Sequence, residues 1–305
     1  MVRAGAAARR GTPRDARGVV LVKRSPMDPA HAIHVLLTAS VLLLVLSLGL
    51  STSLRDATTV LRRPLALARA AVAMFVIVPA VAATLASWFD FRRPVEIAVL
   101  AVAISSVPPI LPGKQLKFGG DRSYVFGLLV AMSLVSIVIV PVAVTVIGRL
   151  FGHDTRMDAT AVARVVGMTV GLPLTAGILL RAIAPGLATM APRLSAMGTL
   201  LLAAGVVPVL LTSLPAMWTI VGSGSVWFIA ALVSAAIASG HLLGGPHPGE
   251  RTPLAIACAM RHPGVALAIA RLNFPDEPLV PAAVLLYVLL AGIGTTLYGR
   301  MQGVA

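Results

Sequence analysis

The chain has 305 residues, of which 58% are hydrophobic and only 12% are charged, and its mean hydropathy is +0.93. These values exclude an ordinary soluble domain, and long apolar runs without strand-like alternation predict a helical integral membrane protein. The net charge of +14 does not indicate nucleic-acid binding, because most basic residues flank apolar runs, where they anchor helices and set topology. Aromatic residues are sparse at 5%, and a single cysteine excludes an intramolecular disulfide.

Residues 1–30 form a basic segment that contains seven of the 25 basic residues in its first 24 positions. We expect a disordered tail before a true spanning helix. The apolar run that follows is long for the core of a signal peptide, and no small-residue cleavage site follows it. Two starts of the chain are open, Met1 and Met27.

Residues 31–300 are predicted to form a transmembrane domain of nine apolar segments, followed by a short tail at 301–305. Each unbroken segment reaches the roughly 20 residues that span a bilayer. The segments are 33–52, 65–88, 95–109 continued by 113–120, 123–147, 161–184, 194–214, 218–243, 251–272 and 278–298. Pro79 predicts a kink in the second segment.

The third and eighth segments are interrupted by helix-breaking residues. The interrupting residues are Pro108, Pro109, Pro112 and Gly113 in the third segment, and Pro263 and Gly264 in the eighth. Proline breaks the helical hydrogen-bond ladder, and freed backbone groups at membrane depth are tolerated only inside protein or along a watery cavity. Two interrupted segments in comparable places indicate a transporter binding site. We therefore expect the two breaks to approach each other near the middle of the membrane.

Five polar residues at the breaks are candidates for substrate binding: Arg261, His262, Lys114, Ser105 and Ser106. Arg261 lies too centrally in its segment for easy snorkelling, so we predict that it lies inside the protein, as an anchor for an anion or as a charge where a cation would bind. Lys114 either joins it or faces the cytoplasm. His262 either carries protons or is a buried, hydrogen-bonded histidine. Ser105 and Ser106 either line the site or pack helices.

Other polar residues have structural explanations. Glu96 begins a helix, where a carboxylate favours the helix dipole, and Asp121 is a predicted N-cap. Ser133 and Ser136 have the same two interpretations as the serines of the break, and Cys258 is predicted to pack inside an apolar helix. The chain has no nucleotide-binding glycine motif, metalloprotease motif or serine nucleophile elbow. The sequence therefore indicates neither an enzyme nor a cofactor or metal site.

The orientation follows from the basic residues of the loops. Counted without the N-terminal tail, the side that holds Arg55, Arg62 and Arg63 is richer in basic residues. The positive-inside rule places that side in the cytoplasm. An odd number of spans places the C-terminus on the same side.

Several motifs resemble the bile acid:sodium symporter family. A resemblance to its first cytoplasmic loop is carried by 49–56, Gly-Leu-Ser-Thr-Ser-Leu-Arg-Asp, and by 61–64, Leu-Arg-Arg-Pro. The start of its first crossover helix resembles 94–99, Pro-Val-Glu-Ile-Ala-Val. Its second crossover, usually Gly-Met-Gln-Asn-Ser-Gly-Leu-Ala-Leu-Ala, resembles 259–268, Ala-Met-Arg-His-Pro-Gly-Val-Ala-Leu-Ala.

This resemblance implies a divergent bacterial-type member of the family in the inner membrane. The implied fold is all-α, with a panel domain and an inverted-repeat core in which two broken helices cross. The nine-segment count is similar to the form of the family that lacks the first of ten helices. The implied function is transport of organic anions.

The chain departs from the family pattern where the family binds sodium. The resemblance aligns Ala257 with a sodium-binding glutamate, Arg261 with a glutamine and His262 with an asparagine. In the first crossover, Pro-Gly-Gly-x-x-Ser-Asn is replaced by 112–117, Pro-Gly-Lys-Gln-Leu-Lys. Sodium prefers hard oxygen ligands, by analogy with other hard cations, so the family's sodium sites are not carried over.

We predict a secondary transporter or facilitator of a small organic anion that works by alternating access without sodium. One alternative is a non-transporting membrane sensor or structural protein, which a soluble effector domain would favour. Another is a proton-coupled antiporter or an auxin-carrier-like transporter. An intramembrane aspartate pair would favour the antiporter, but no aspartate falls inside the nine predicted spans.

Overall fold

The computed structural model describes residues 29–152, 159–222 and 224–302, so the predicted N-terminal tail lies almost entirely outside the described residues. Within these residues the chain forms helices and no strand, which confirms the predicted all-helical class. The helices of the first half are α1 Pro29–Ser51, α2 Leu54–Ala57, α3 Pro64–Val72, α4 Val78–Trp88, α5 Arg93–Ile104, α6 Leu111–Lys117 and α7 Arg122–Leu150. Those of the second half are α8 Ala159–Val166, α9 Leu172–Ile183, α10 Ala191–Ile220, α11 Ser225–Leu243, α12 Pro248–Ala259, α13 Pro263–Asn273 and α14 Val280–Met301.

Seven helical stretches of the described chain are long and apolar enough to cross a membrane. They are Pro64–Trp88, Arg122–Leu150, Arg164–Ile183, Pro185–Ile220, Ser225–Leu243, Pro248–Asn273 and Val280–Met301. The first and third predicted segments are not among them. The first contributes the shorter apolar helix Val35–Ser51, and the third is divided between α5 and α6. The protein is therefore a polytopic helical membrane protein.

Two of these spans contain a π-helical turn shortly before a proline. The turn Ala73–Ile77 joins α3 to α4 and precedes Pro79, and the turn Gly167–Gly171 joins α8 to α9 and precedes Pro173. A proline ring clashes with the carbonyl four residues earlier. A wider π turn shifts the hydrogen-bond ladder at that point. Both spans continue as helix past their prolines.

One predicted loop is absent from the described structure. The sixth predicted segment ends at Leu214, yet α10 continues through Pro208 and Pro215 to Ile220. Transmembrane helices tolerate proline because neighbouring groups and small local adjustments satisfy the freed carbonyls. The predicted boundary at this place is wrong for that reason.

The helices pack into two groups. In the first group, α1 packs against α9 and α10. In the second group, α5 packs against α4, α7, α13 and α14, while α11 packs against α12 and α14. The core of the second group contains most of α5 and of α12, because every residue from Ile97 to Ile104 and from Thr252 to Ala259 is buried.

Small residues allow the closest helix contacts. A Cβ atom built on Gly240 of α11 would lie 2.5 Å from the Cα atom and 2.6 Å from the backbone nitrogen of Ala255 on α12. Real Cβ atoms do not approach backbone so closely, so α11 and α12 touch here backbone to backbone, as glycine-containing membrane interfaces do. This contact holds α12, and with it the second break, against α11.

We expect Gly240→Ala to destabilise the protein by about 2–3 kcal/mol, because overpacking against backbone forces the two helices apart. The melting temperature of the detergent-purified protein should fall by several degrees. Gly292→Ala is the matched control, since Gly292 is also a helical glycine but nothing lies within 4 Å of a Cβ atom there. Equal melting temperatures for the two variants would contradict the α11–α12 contact.

The loops at one end of the molecule are joined by polar contacts. Ser53 and Asp56 form a capping box at the start of α2, and Ser123 donates its hydroxyl hydrogen bond to Asp56. The Asp121 N–H donates to the Gly249 carbonyl at 2.8 Å. As predicted, Asp121 also caps α7, since its carboxylate accepts from the Tyr124 N–H at 2.8 Å. The loops after α1, α6 and α11 therefore lie on the same side.

We expect reporters fused after Arg63 and after the last residue to signal from the cytoplasmic side in both cases. The basic loops lie at this end. The end of α14 lies there too, since a Cβ atom on Gly299 would meet the Phe118 ring at 2.5 Å. A phosphatase and a fluorescent-protein fusion at each position would measure the side. Signals from opposite sides would contradict the nine-span count, which leaves eight spans, an even number, between the two positions.

Candidate functional site

The first break separates α5 from α6. α5 ends at Ile104 and α6 begins at Leu111, so the interruption lies at 105–110. Pro108 and Pro109 lie in the break as predicted, whereas Pro112 and Gly113 lie in the first turn of α6. Proline suits that position because the first N–H groups of a helix need no partner within the helix. α5 thus ends at Ile104 rather than at the predicted 109, and α6 begins at Leu111 rather than at the predicted 113.

The second break separates α12 from α13 and is shorter. α12 ends at Ala259, and its C-cap Met260 and the N-cap His262 of α13 both have extended backbone conformations. Pro263 and Gly264, predicted as break residues, are the first two residues of α13. The break itself is therefore Met260–Arg261–His262. Twelve helical residues precede it and eleven follow it, so it lies midway along this span.

The two breaks touch each other. The backbone N–H of His262 donates to the carbonyl of Ser106 at 2.9 Å, so two backbone groups freed by helix interruption satisfy one another. The Ser105 hydroxyl donates back to the Val102 carbonyl of its own helix at 2.8 Å. Four of the five candidate residues, Ser105, Ser106, Arg261 and His262, are thereby brought together.

Arg261 is buried where the breaks meet, with 3% of its surface exposed. Its Nη2 donates to the Ala103 carbonyl in the last turn of α5 at 2.8 Å, and its Cζ lies 5.3 Å from the centre of the Phe75 ring. Nε and Nη1 have no hydrogen-bond partner within the described chain. No carboxylate of that part of the chain forms an ion pair with Arg261. A buried cation in this condition lacks a counter-ion.

Two other buried side-chain atoms at the junction, and one on α7, also have no partner in the described structure. They are Ser106 Oγ, Ser133 Oγ and His262 Nε2. The Nδ1 atom of His262 accepts from the Val265 N–H at 3.4 Å, so the neutral ring carries its proton on Nε2. Ser133 lies on α7, which packs against α5. The unpartnered groups are thus N–H and O–H donors, which is the chemistry that an anion needs.

Two carbonyls at the helix ends of the breaks already have donors. The Ala103 carbonyl accepts from Arg261, and the Ala259 carbonyl at the end of α12 accepts from the Tyr287 hydroxyl at 2.8 Å. Carbonyls at the ends of broken membrane helices are ligands that a coupling cation can use. At this junction a guanidinium and a phenol occupy those two carbonyls.

The structure places Lys114 apart from the other candidates. Its Nζ donates to the Gly292 carbonyl at 2.9 Å and to the Thr295 hydroxyl at 2.7 Å, both on α14. Thr295 in turn donates to the Ala291 carbonyl, so its oxygen is free to accept from the ammonium. These partners lie more than one helical turn along α14 from Tyr287, which touches the second break. Lys114 thus binds to α14 and makes no described contact with Arg261.

An apolar cavity of about 90 Å³ extends from the opposite end of the molecule to Ile104, the last residue before the first break. It lies among α5, α7 and α13, and its walls include Leu100, Ile104 and Ile269. Arg93 and Glu96 line it near the start of α5, where Arg93 also pairs with Glu277 at 3.0 Å. Pockets for drug-sized ligands are several times larger, so this cavity has room only for a small group in this conformation.

Two residues of the junction, Phe75 and Tyr287, were not among the predicted site residues. Phe75 lies in a π turn of the second span and has no local sign of its contact with Arg261. Tyr287 lies in the apolar run of α14. A tyrosine hydroxyl inside a span needs a partner, and that signal was available from the sequence.

A scan against models of protein families matches residues 38–241 to the family described as the Sodium Bile acid symporter family. The matched residues are more than half of the chain, contain the first break and end before the second. A search of curated proteins found no match.

Proposed function

The chain belongs to the Sodium Bile acid symporter family, and from this premise we propose that it moves a small organic anion across the membrane by alternating access. The family consists of transporters, so the protein is a membrane transporter. The proposal adds the class of substrate, the site and the coupling. It also takes α1 and the divided α5–α6 segment as spans, which gives nine spans with two broken helices crossing in the core.

The observation that carries the proposal is the buried, unpaired Arg261. Burial of a charge without a partner costs several kcal/mol, so a protein that keeps one gains from a ligand of opposite charge. The N-terminus of α13, which begins one residue after His262, adds positive potential at the same place. The unpartnered donors of Ser106 and His262 supply hydrogen bonds to the same anion.

The proposed substrate is small because the available room is small. The cavity beside the first break holds about 90 Å³, and the junction between the breaks is closed by direct backbone contact. A carboxylate or sulfonate on a compact apolar body fits an anion site beside an apolar wall.

Sodium coupling at the second break is disfavoured by charge. Where the family pattern has a glutamate, a glutamine and an asparagine, this chain has Ala257, Arg261 and His262. Arg261 supplies the positive charge that a cation would supply, and it occupies the Ala103 carbonyl as well. Transport then proceeds as uniport, as anion exchange, or with protons carried by His262.

The rival functions have less support. Within the described chain no soluble domain interrupts the helices, so a sensor would lack a visible effector. A proton antiporter of the aspartate type would need aspartates in its spans, and none lies between Pro64 and Trp88 or in α5, α7 or α12–α14. The carrier of protons in this chain would be His262.

The experiment that tests the proposal is counterflow in proteoliposomes. Small mono- and dicarboxylates and sulfonates are first screened for raising the melting temperature of the purified protein. Vesicles loaded with an unlabelled hit should then accumulate the labelled anion transiently above its external concentration, as expected of a carrier that alternates between sides. Protein-free vesicles are the control. Binding without counterflow would favour a sensor over a transporter.

A further inference from the structure

A second cavity, which has several charged residues in its lining, lies at the end of the molecule that holds the basic loops. It has a volume of about 460 Å³ and lies between the start of α3 and the connection from α11 to α12. The polar residues that line it are Arg62, Arg63, Arg69, Tyr124, His247 and Glu250. It is separate from the junction of the breaks, because no residue of either break lines it.

The lining of this cavity carries a surplus of positive charge. Arg63 pairs with Glu250 at 2.5 Å, and this pair cancels one positive charge. Arg62 and Arg69 form no ion pair in the described part of the chain. Two arginine side chains are thus available, and arginine matches phosphate with parallel N–H donors.

Two helices begin at the cavity without a side-chain cap. α3 begins at Pro64 after Arg63, and α12 begins at Pro248 after His247, and neither N-cap side chain accepts a hydrogen bond from its helix. Pro64, Leu65 and Ala66 of the first turn of α3 line the cavity. In the first turn of α12 the Glu250 N–H donates to the His247 carbonyl at 3.0 Å, and the Glu250 side chain lines the cavity. The uncapped first turn of α3 therefore supplies the free N–H groups and the positive potential. Anions bind at such places.

The position of Arg69 along its helix places the cavity near the membrane surface. Arg69 is exposed and lies five residues after Pro64, at the start of the span Pro64–Trp88. At 1.5 Å per residue this is about 8 Å into the helix. An arginine there lies near the level of lipid phosphates, where basic pockets between helices bind anionic headgroups.

We infer that this cavity binds a phosphate group, held by Arg62 and Arg69 and by the first turn of α3. The group belongs either to the headgroup of an anionic phospholipid or to a free phosphate, and the chemistry is the same for both. Glu250 competes with the ligand for Arg63, so Arg62 and Arg69 carry most of the binding. The inference does not depend on the proposed function.

The test titrates detergent-purified protein separately with short-chain phosphatidylglycerol, short-chain phosphatidylcholine and inorganic phosphate at constant ionic strength. Melting temperature and equilibrium binding are both measured. Arg62→Gln/Arg69→Gln should weaken binding about thirtyfold, since each basic residue near an anionic surface contributes about fivefold. Arg62→Lys/Arg69→Lys should restore part of it. Arg193→Gln is the matched control, an exposed arginine at the start of α10 that does not line the cavity.

The titrations distinguish a lipid headgroup from a free phosphate as the source of the bound group. Binding of phosphatidylglycerol but not of inorganic phosphate assigns a lipid headgroup, and binding of inorganic phosphate assigns a free phosphate. If neither binds better than phosphatidylcholine, or if the double glutamine variant binds as tightly as the unmodified protein, the inference is overturned. The ligand-induced change is compared within each variant, so a general loss of stability does not obscure the result.

Discussion

Arg261→Gln will weaken the binding of the transported anion by about a hundredfold to several thousandfold. The anion and the guanidinium form a buried pair in the proposed complex, and removal of one partner from such a pair costs about 3–5 kcal/mol. Glutamine keeps much of the reach of the side chain and can still donate to the Ala103 carbonyl that Arg261 contacts at 2.8 Å. The affinity is measured by the melting-temperature shift and by equilibrium binding.

The same variant distinguishes a binding role from a structural role. If Arg261 mainly holds α12 and α13 to α5 and Phe75, its replacement should lower the melting temperature of the protein without ligand. If it awaits an anion, the ligand-free protein should be as stable or more stable, because an unpaired buried charge is removed. Arg261→Lys, which keeps the charge but loses the planar fork, should retain part of the affinity. Unchanged affinity in Arg261→Gln would exclude the proposed role.

Uptake of the anion into proteoliposomes will continue when sodium is replaced by potassium or choline. A fixed unit charge about 4 Å from a cation costs on the order of 4 kcal/mol at an intermediate dielectric, which is roughly a thousandfold in affinity. Arg261 supplies this charge at the second break, and the helix-end carbonyls of Ala103 and Ala259 already accept from Arg261 and Tyr287. Sodium should therefore not bind between these groups at ordinary concentrations.

The measurement compares initial uptake rates at equal chloride concentration and equal membrane potential. Rates that collapse without sodium and saturate as sodium is added would disprove sodium independence. A pH gradient imposed in the same assay tests for proton coupling. If His262 carries the proton, the pH gradient should change the uptake rate of the unmodified protein but not that of His262→Asn. If the protein is a uniporter or an exchanger, the gradient should change the uptake rate of neither.

The membrane class, the two interruptions and the family were accessible from the sequence because each has a local signal. Apolar runs of about 20 residues have few structural alternatives, and Pro108 and Pro109 lie in the first break, while Pro263 follows the second. The stretch from Ser53 to Asp56, part of the family resemblance, forms a capping box, and such a box is determined by four neighbouring residues. The cap of α7 by Asp121 was predicted on the same grounds.

Helix ends were predicted less well where proline was involved. α10 continues through Pro215, and α6 begins before Pro112. Proline is compatible with the first turn of a helix and with the interior of a membrane helix as well as with a break. Which of these applies depends on whether neighbouring segments satisfy the freed carbonyls, and a sequence does not contain that information locally.

The sequence by itself determined that a charged, helix-breaking tetrapeptide lies in the middle of an apolar span, since that requires only composition and order. Only the tertiary structure decided what each charge touches. Arg261 meets the Ala103 carbonyl across 158 positions of the chain, and Lys114 reaches Gly292 across 178. From the sequence, Lys114 and Arg261 are both cations near a break. In the structure Lys114 binds to α14, whereas Arg261 lies at the junction. Such contacts depend on how closely helix backbones approach each other, as at Gly240 and Ala255, and on which carbonyl groups then lie within hydrogen-bonding distance.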